Sequence, residues 1–144
     1  MSKLKSMMIA KDTSTWVEYP DIDGFEVQLQ YLTREDLLKI RNASVTYKFS
    51  KKTRQREEEV DSQKFIENYA ERAILGWRGL KIKHLPMLLP VDITAMNKEE
   101  LVEYSREDAV DLLSNSTIFD QFVSDALNDF ENFTRQKAEE DEKN

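Results

Sequence analysis

From Phe25 to Tyr31 the chain alternates in strict period two. Phe25, Val27, Leu29 and Tyr31 fall on one side, and Glu26, Gln28 and Gln30 on the other. Successive side chains of a strand point to opposite faces, so the run predicts a strand with one dry face and one wet face. Upstream, Thr15-Trp16-Val17-Glu18-Tyr19 also alternates and is rich in aromatic and β-branched residues. Pro20-Asp21-Ile22-Asp23-Gly24 between them supplies turn chemistry, with Gly24 available for positive φ. The two runs predict a β-hairpin, and a lone hairpin is marginal in water. Its dry face therefore needs a helix against it. That need sets the fold class: α+β, an N-terminal β-hairpin followed by a mainly α-helical domain of roughly four or five helices.

Helix signals follow in order. Thr33 with Asp36 three residues on resembles a capping box, with Asp in the usual Glu/Gln place, and Leu37, Leu38 and Ile40 continue the pattern. From Val45 to Glu59 the period dissolves into charge, and the sequence predicts an exposed loop or a frayed helix extension there. Asp61 or Ser62 caps a second helix carrying Phe65, Ile66, Tyr69, Ala73 and Ile74. Gly76 is placed to end it as a left-handed C-cap, and Gly79 to form a second loose joint. Leu80 to Met96 holds Pro86 and Pro90 and predicts a packed loop with a short helix or strand. Ser105 with Asp108 begins a short helix bearing Ala109, Val110, Leu112 and Leu113, broken at Ser114-Asn115-Ser116. Ile118, Phe119, Phe122, Val123, Ala126, Leu127, Phe130 and Phe133 then trace one stripe, predicting a single terminal helix. The expected organisation is a flexible arm over residues 1–14, one globular domain over 15–134 and a charged, disordered tail over 135–144.

Composition narrows the chemistry. With 144 residues and 40% hydrophobic content, the chain has material for one core. There is no cysteine, which removes disulfides, zinc–thiolate sites and thiol nucleophiles together. No apolar run approaches the roughly 18 residues of a membrane span, and the apolar part of Met1–Ala10 is shorter than a signal peptide's. The expectation is a cytosolic protein. A net charge of −7 opposes general affinity for nucleic acid. The basic run from Lys48 to Arg56, flanked by Tyr47 and Phe49, would suit a nucleic-acid strand, but Glu57, Glu58 and Glu59 follow at once. A solvated face or a contact with an acidic partner is the better reading of that run.

Catalytic groups are scarce. His84, the sole histidine, stands beside Leu85 and Pro86 with no partner group in view. No Gly-rich phosphate loop, nucleophile elbow or zinc pattern occurs, and Asp21 and Asp23 near Gly24 read as a turn rather than a calcium loop. The sequence is expected to be no enzyme and to need no cofactor and no metal. Its candidate partner-binding residues are Trp77, Leu80, Met87, Phe119 and Phe122. Each has an alternative as core: Trp77 is a buried anchor or a contact hot spot, and the phenylalanine stripe is interior or lines a groove for a partner helix. Met87 and Met96 would suit an adaptable surface.

The order Ala73-Ile74-Leu75-Gly76-Trp77-Arg78-Gly79-Leu80, then a connecting passage, then Tyr104-Ser105 leading into a helix and a phenylalanine-rich terminal helix from Phe119 to Phe133, resembles the tail assembly chaperones of long-tailed phages. The resemblance covers about residues 15 to 134, with a Leu80–Leu101 insert longer and richer in proline than that family's turn. It implies a protein of the host cytoplasm that binds and solubilises the tape measure protein, brings tail tube protein around it, and is not part of the mature virion. Such families make a longer form by ribosomal slippage, and Glu142-Lys143-Asn144 admits the codons of a slippery run. Oligomeric state stays open, a homo-oligomer included. A second reading from a different class is an acidic regulator or inhibitor that binds a host nucleic-acid-processing protein.

Overall fold

The dry face of the expected hairpin is the centre of the computed structural model, which describes residues 2–143. Met1 of the expected arm and Asn144 of the expected tail and slippery run lie outside the described residues. Strands β1 (Ser14–Glu18) and β2 (Glu26–Gln30) pair antiparallel, Ser14 opposite Gln30 and Glu18 opposite Glu26. The turn is closed by the Tyr19 amide donating to the Phe25 carbonyl, with Gly24 at φ 84°.

The first correction concerns Gly76. It does not cap a helix: it lies in a third strand, β5 (Ile74–Arg78), antiparallel to β2 on the side away from β1. Gln28 faces Gly76 and Leu29 faces Ile74, so Leu75 is an extra residue in the ladder. This bulge turns both Ile74 and Trp77 inward, three residues apart. A three-residue apolar spacing reads as helix in the sequence, and the bulge is what makes it strand. Gly79 is no loose joint either. At φ 79° it sits against Gly24, and a Cβ on Gly79 would collide with the Gly24 carbonyl.

The helices are α1 (Arg34–Ala43), α2 (Ser62–Ala73), α3 (Arg106–Asn115), α4 (Thr117–Asn128) and α5 (Glu131–Lys143). The fold class is therefore α+β, with the β1–β2 hairpin first and all five helices after it, β5 following α2. Helices α2 and α4 pack on β2, α3 packs between them, and α5 reaches β1. Phe25, Val27 and Leu29 are buried beneath Ala70, Ala73, Ala109, Phe119 and Val123 in one core. Each large side chain so buried contributes about 1.5–3 kcal/mol before entropy is counted. The shorter Asp does close the capping box of α1. The Thr33 amide donates to Asp36 Oδ2 at 2.9 Å, and the Asp36 amide donates to Thr33 Oγ1 at 3.1 Å. Asp36 Oδ1 also accepts from Arg72 Nη2 at 2.9 Å, tying α1 to α2. These hydrogen bonds, that from the Thr33 amide foremost, hold the Asp36 carboxyl below its ordinary range against its burial.

The expected single terminal helix is two. Ser116 caps α4 by accepting from the Phe119 amide, and the helix stops at Asn128. Asn132 Nδ2 donates back to the Ala126 carbonyl across the break. The change of direction brings Phe133 under Tyr31 at 5.5 Å between ring centroids, while Phe130 stays exposed. The charged stretch expected to be a disordered tail continues α5 through Lys143, with Gln136–Glu140 and Lys137–Asp141 paired one turn apart.

The charge run is also corrected. Residues expected to form a loop or a frayed helix make a second hairpin, β3 (Val45–Ser50) with β4 (Gln55–Val60). Lys48 faces Glu57 and Phe49 faces Arg56, so charged side chains interspersed along both strands masked the alternation. The hairpin is rooted at Ser44, which is fully buried. Its hydroxyl donates to the Ile40 carbonyl and accepts from Asn68 Nδ2, and its carbonyl accepts from the Asp61 amide.

Gly24 and Gly79 separate two effects that one substitution would confound. Gly24→Ala meets only the positive φ and should cost about 1–2 kcal/mol. Gly79→Ala adds the collision with the Gly24 carbonyl and should cost at least about 3 kcal/mol, read as the urea midpoint at unchanged slope. Equal losses would show that the close approach does not matter.

Candidate partner-binding site

Helix α4 carries two faces. Phe119, Val123 and Ala126 turn into the core. Ile118, Phe122, Asp125 and Asp129 recur at four- and three-residue spacing along the adjacent side. That side faces the end of β1 and the turn after it. Between them runs a groove of about 730 Å³. Its floor is Val17, Tyr19, Ile118 and Phe122, and Ile118 is 57% exposed. Its rim carries the carboxylates of Glu18, Asp21, Asp125 and Asp129, none of which makes an ion pair among the described residues. An apolar trough bordered by unneutralised anions suits an apolar segment with basic flanks.

The five residues singled out in the sequence divide by depth. Trp77, Leu80 and Phe119 are buried. Trp77 Nε1 donates to the Val102 carbonyl at 2.9 Å, so its polar edge is already satisfied inside the protein. Phe122 is half-buried on the groove floor, and Met87 is exposed at the end of a 3₁₀ turn, Ile82–Met87. Three of the five are nevertheless joined. Trp77 and Phe119 rings lie 6.5 Å apart, Phe119 and Phe122 6.3 Å, and Phe122 and Tyr19 4.8 Å. This aromatic line leads from the interior to the groove. At its other end Trp77 and Leu80 back a smaller cleft of about 210 Å³ with Leu85, Leu89 and Val91. The sequence reading put Ile118 on the apolar stripe but not among the candidate contacts, and it did not bring the rim carboxylates together.

The fold shifts several titratable groups. Burial, then the charge of Asp21, pushes the Tyr19 phenol up. Burial, then Asp120, pushes Tyr69 up to about 12. His84 lies in the long connection, where its Nδ1 accepts from the Lys81 amide at 3.1 Å. Burial first, then Lys83 and Lys81, hold its pKa below the ordinary value. Among the described residues no group of three or more His, Cys, Asp or Glu is placed to hold a metal, and no helix is long and apolar enough to cross a membrane.

A family model described as "YdaY prophage protein" matches residues 28–144, from within β2 to the end of the chain. No curated protein and no solved structure matches it.

Neutral Tyr69 is favoured by the fold. Its contribution is therefore complete below about pH 10 and lost as pH rises toward about 12. Absorbance titration should show a tyrosine ionising about two pH units late, and Tyr69→Phe should abolish that late step. Loss of the late step from Tyr31→Phe instead would contradict the assignment.

Proposed function

The chain belongs to the YdaY prophage protein family, and we propose that within it the chain acts as a phage tail assembly chaperone. In this reading it binds the tape measure protein, keeps it soluble while tail tube subunits assemble around it, and then leaves. The acid-rimmed groove beside α4 is the observation that carries the reading. A long helical client exposes apolar stripes that associate with one another unless a temporary apolar partner covers them. Ile118 and Phe122 offer that cover, and the four carboxylates select clients with basic residues beside the stripe. The net charge of −7 keeps the loaded complex dispersed. The action is reversible binding in the host cytoplasm, without a catalytic step, cofactor or metal. The resemblance of the Trp77 block and the phenylalanine-rich end to tail chaperones points the same way.

The rim alone would also suit a basic groove on a host nucleic-acid-processing protein, the role of an acidic regulator. The two readings differ in what they ask of the floor.

The test is co-expression with the tape measure protein of the same prophage. The soluble yield of that protein should rise several-fold with the wild-type chain. Ile118→Asp should abolish the rise while leaving the melting temperature near wild type, since the site is exposed. Unchanged client solubility with and without the chain would overturn the proposal. Retention of a host nucleic-acid enzyme that needs Asp125 and Asp129 but not Ile118 would favour the regulator.

A further inference from the structure

The β3–β4 hairpin is an arm without an evident task in the fold. Its strands span about 20 Å at 3.3 Å per residue. Tyr47 and Phe49 share one face and are 60% and 63% exposed. The Arg56 guanidinium lies over the Tyr47 ring at 4.3 Å. Near the root, Glu58 is matched by Arg41 at 3.1 Å. Toward the tip, Lys51, Lys52 and Arg54 make no ion pair among the described residues. The arm therefore carries two exposed rings on one face, carboxylates Glu57, Glu58 and Glu59 nearer its root and cations toward its tip, on a chain whose net charge is −7.

The ring-bearing face and cationic tip of the arm are the chemical complement of the groove described above. Two exposed aromatic rings match an apolar floor, and the cations Lys51, Lys52, Arg54 and Arg56 match the carboxylates Glu18, Asp21, Asp125 and Asp129. The arm is rooted between α1 and α2, whereas the groove lies between α4 and the β1–β2 turn. Both surfaces stand open in the same molecule. We propose that the β3–β4 arm of one copy docks in the acid-rimmed groove of a second copy. The contact is heterologous: the second copy's arm remains available for a third, so the chain builds rings or open filaments. A single arm buries little area, so the association is weak, reversible and sensitive to salt. A client segment with the same chemistry displaces the arm and disperses the assembly. The inference rests on the groove being an interaction surface, as in the preceding section, but not on which client it serves.

Nucleic acid is the competing partner for a basic aromatic ribbon. The surrounding acidic body disfavours it, because phosphate binding requires net cation contact.

Sedimentation of the full chain alone tests the proposal. Mass should rise above the monomer with concentration at low salt and return to it at high salt. An arm variant, Tyr47→Ser with Phe49→Ser, and a groove variant, Ile118→Ser with Asp125→Lys, should each stay monomeric. Mixed in equal amounts, they should form a particle of twice the monomer mass and no larger, because only one arm and one groove remain intact. Unchanged melting temperatures would show that both variants fold. A wild-type chain that stays monomeric, or a mixture that stays monomeric, overturns the inference and leaves the client reading standing. Single-stranded DNA retained by the wild type but lost in Lys51→Glu, without any oligomer, would reassign the arm to nucleic acid. Failure of client solubilisation with the mixed dimer intact would instead sink only the chaperone reading.

Discussion

Every other element is arranged by the need to cover β2. Its inward residues Val27 and Leu29, and Phe25 just before it, have no accessible surface, and β2 is the middle strand of its sheet. A middle strand has its backbone satisfied on both edges, so only its faces remain to be settled. One face is wet: Glu26 and Gln28 look outward, and Arg78 bonds Glu26 while lying over Trp16 at 4.1 Å. The other face is dry and carries helices α2 and α4, with α3 filling behind. The Gly24–Gly79 approach serves the same end by letting the turn and the strand exit lie together without a side chain between them.

What is left after that packing defines the surface. The core uses one side of α4, and the neighbouring side becomes the groove because β1 and its turn stop short of covering it. Rings from Trp77 through Phe119 to Phe122 and Tyr19 make the groove floor continuous with the interior. The arm contrasts with this. It is held at its root by Ser44 and by the Arg41–Glu58 pair, with little apolar burial beyond, which places it at the low-stability end of the molecule. An acid-rimmed groove and an arm with a cationic tip thus stand in one chain.

The sequence showed some of this directly and hid the rest for physical reasons. Caps at Thr33, Asp61 and Ser105 were legible, because a cap depends on residues three apart, whereas Ser116 was read only as part of a break. The period-two run was legible because β2 is regular. Strand β5 was not, since a bulge placed Ile74 and Trp77 at helical spacing. The arm was not, since charged residues interspersed along it broke its alternation. Of the five candidate contact residues, an apolar pattern marked Trp77, Leu80 and Phe119 equally well as core, and only depth separated them from Met87 and Phe122.

By itself, then, the amino-acid order determined the fold class, the caps, the one-sided strand and the absence of thiol chemistry. These follow from local periodicity and side-chain type, which act over a few residues. Which apolar residues remain at the surface was decided only by tertiary structure. That choice depends on which faces meet: α4 against β2 buries Phe119, while the missing cover beyond β1 leaves Ile118 open among four carboxylates from distant parts of the chain. No local pattern encodes that meeting, because it is set by competition among all the apolar faces for one core.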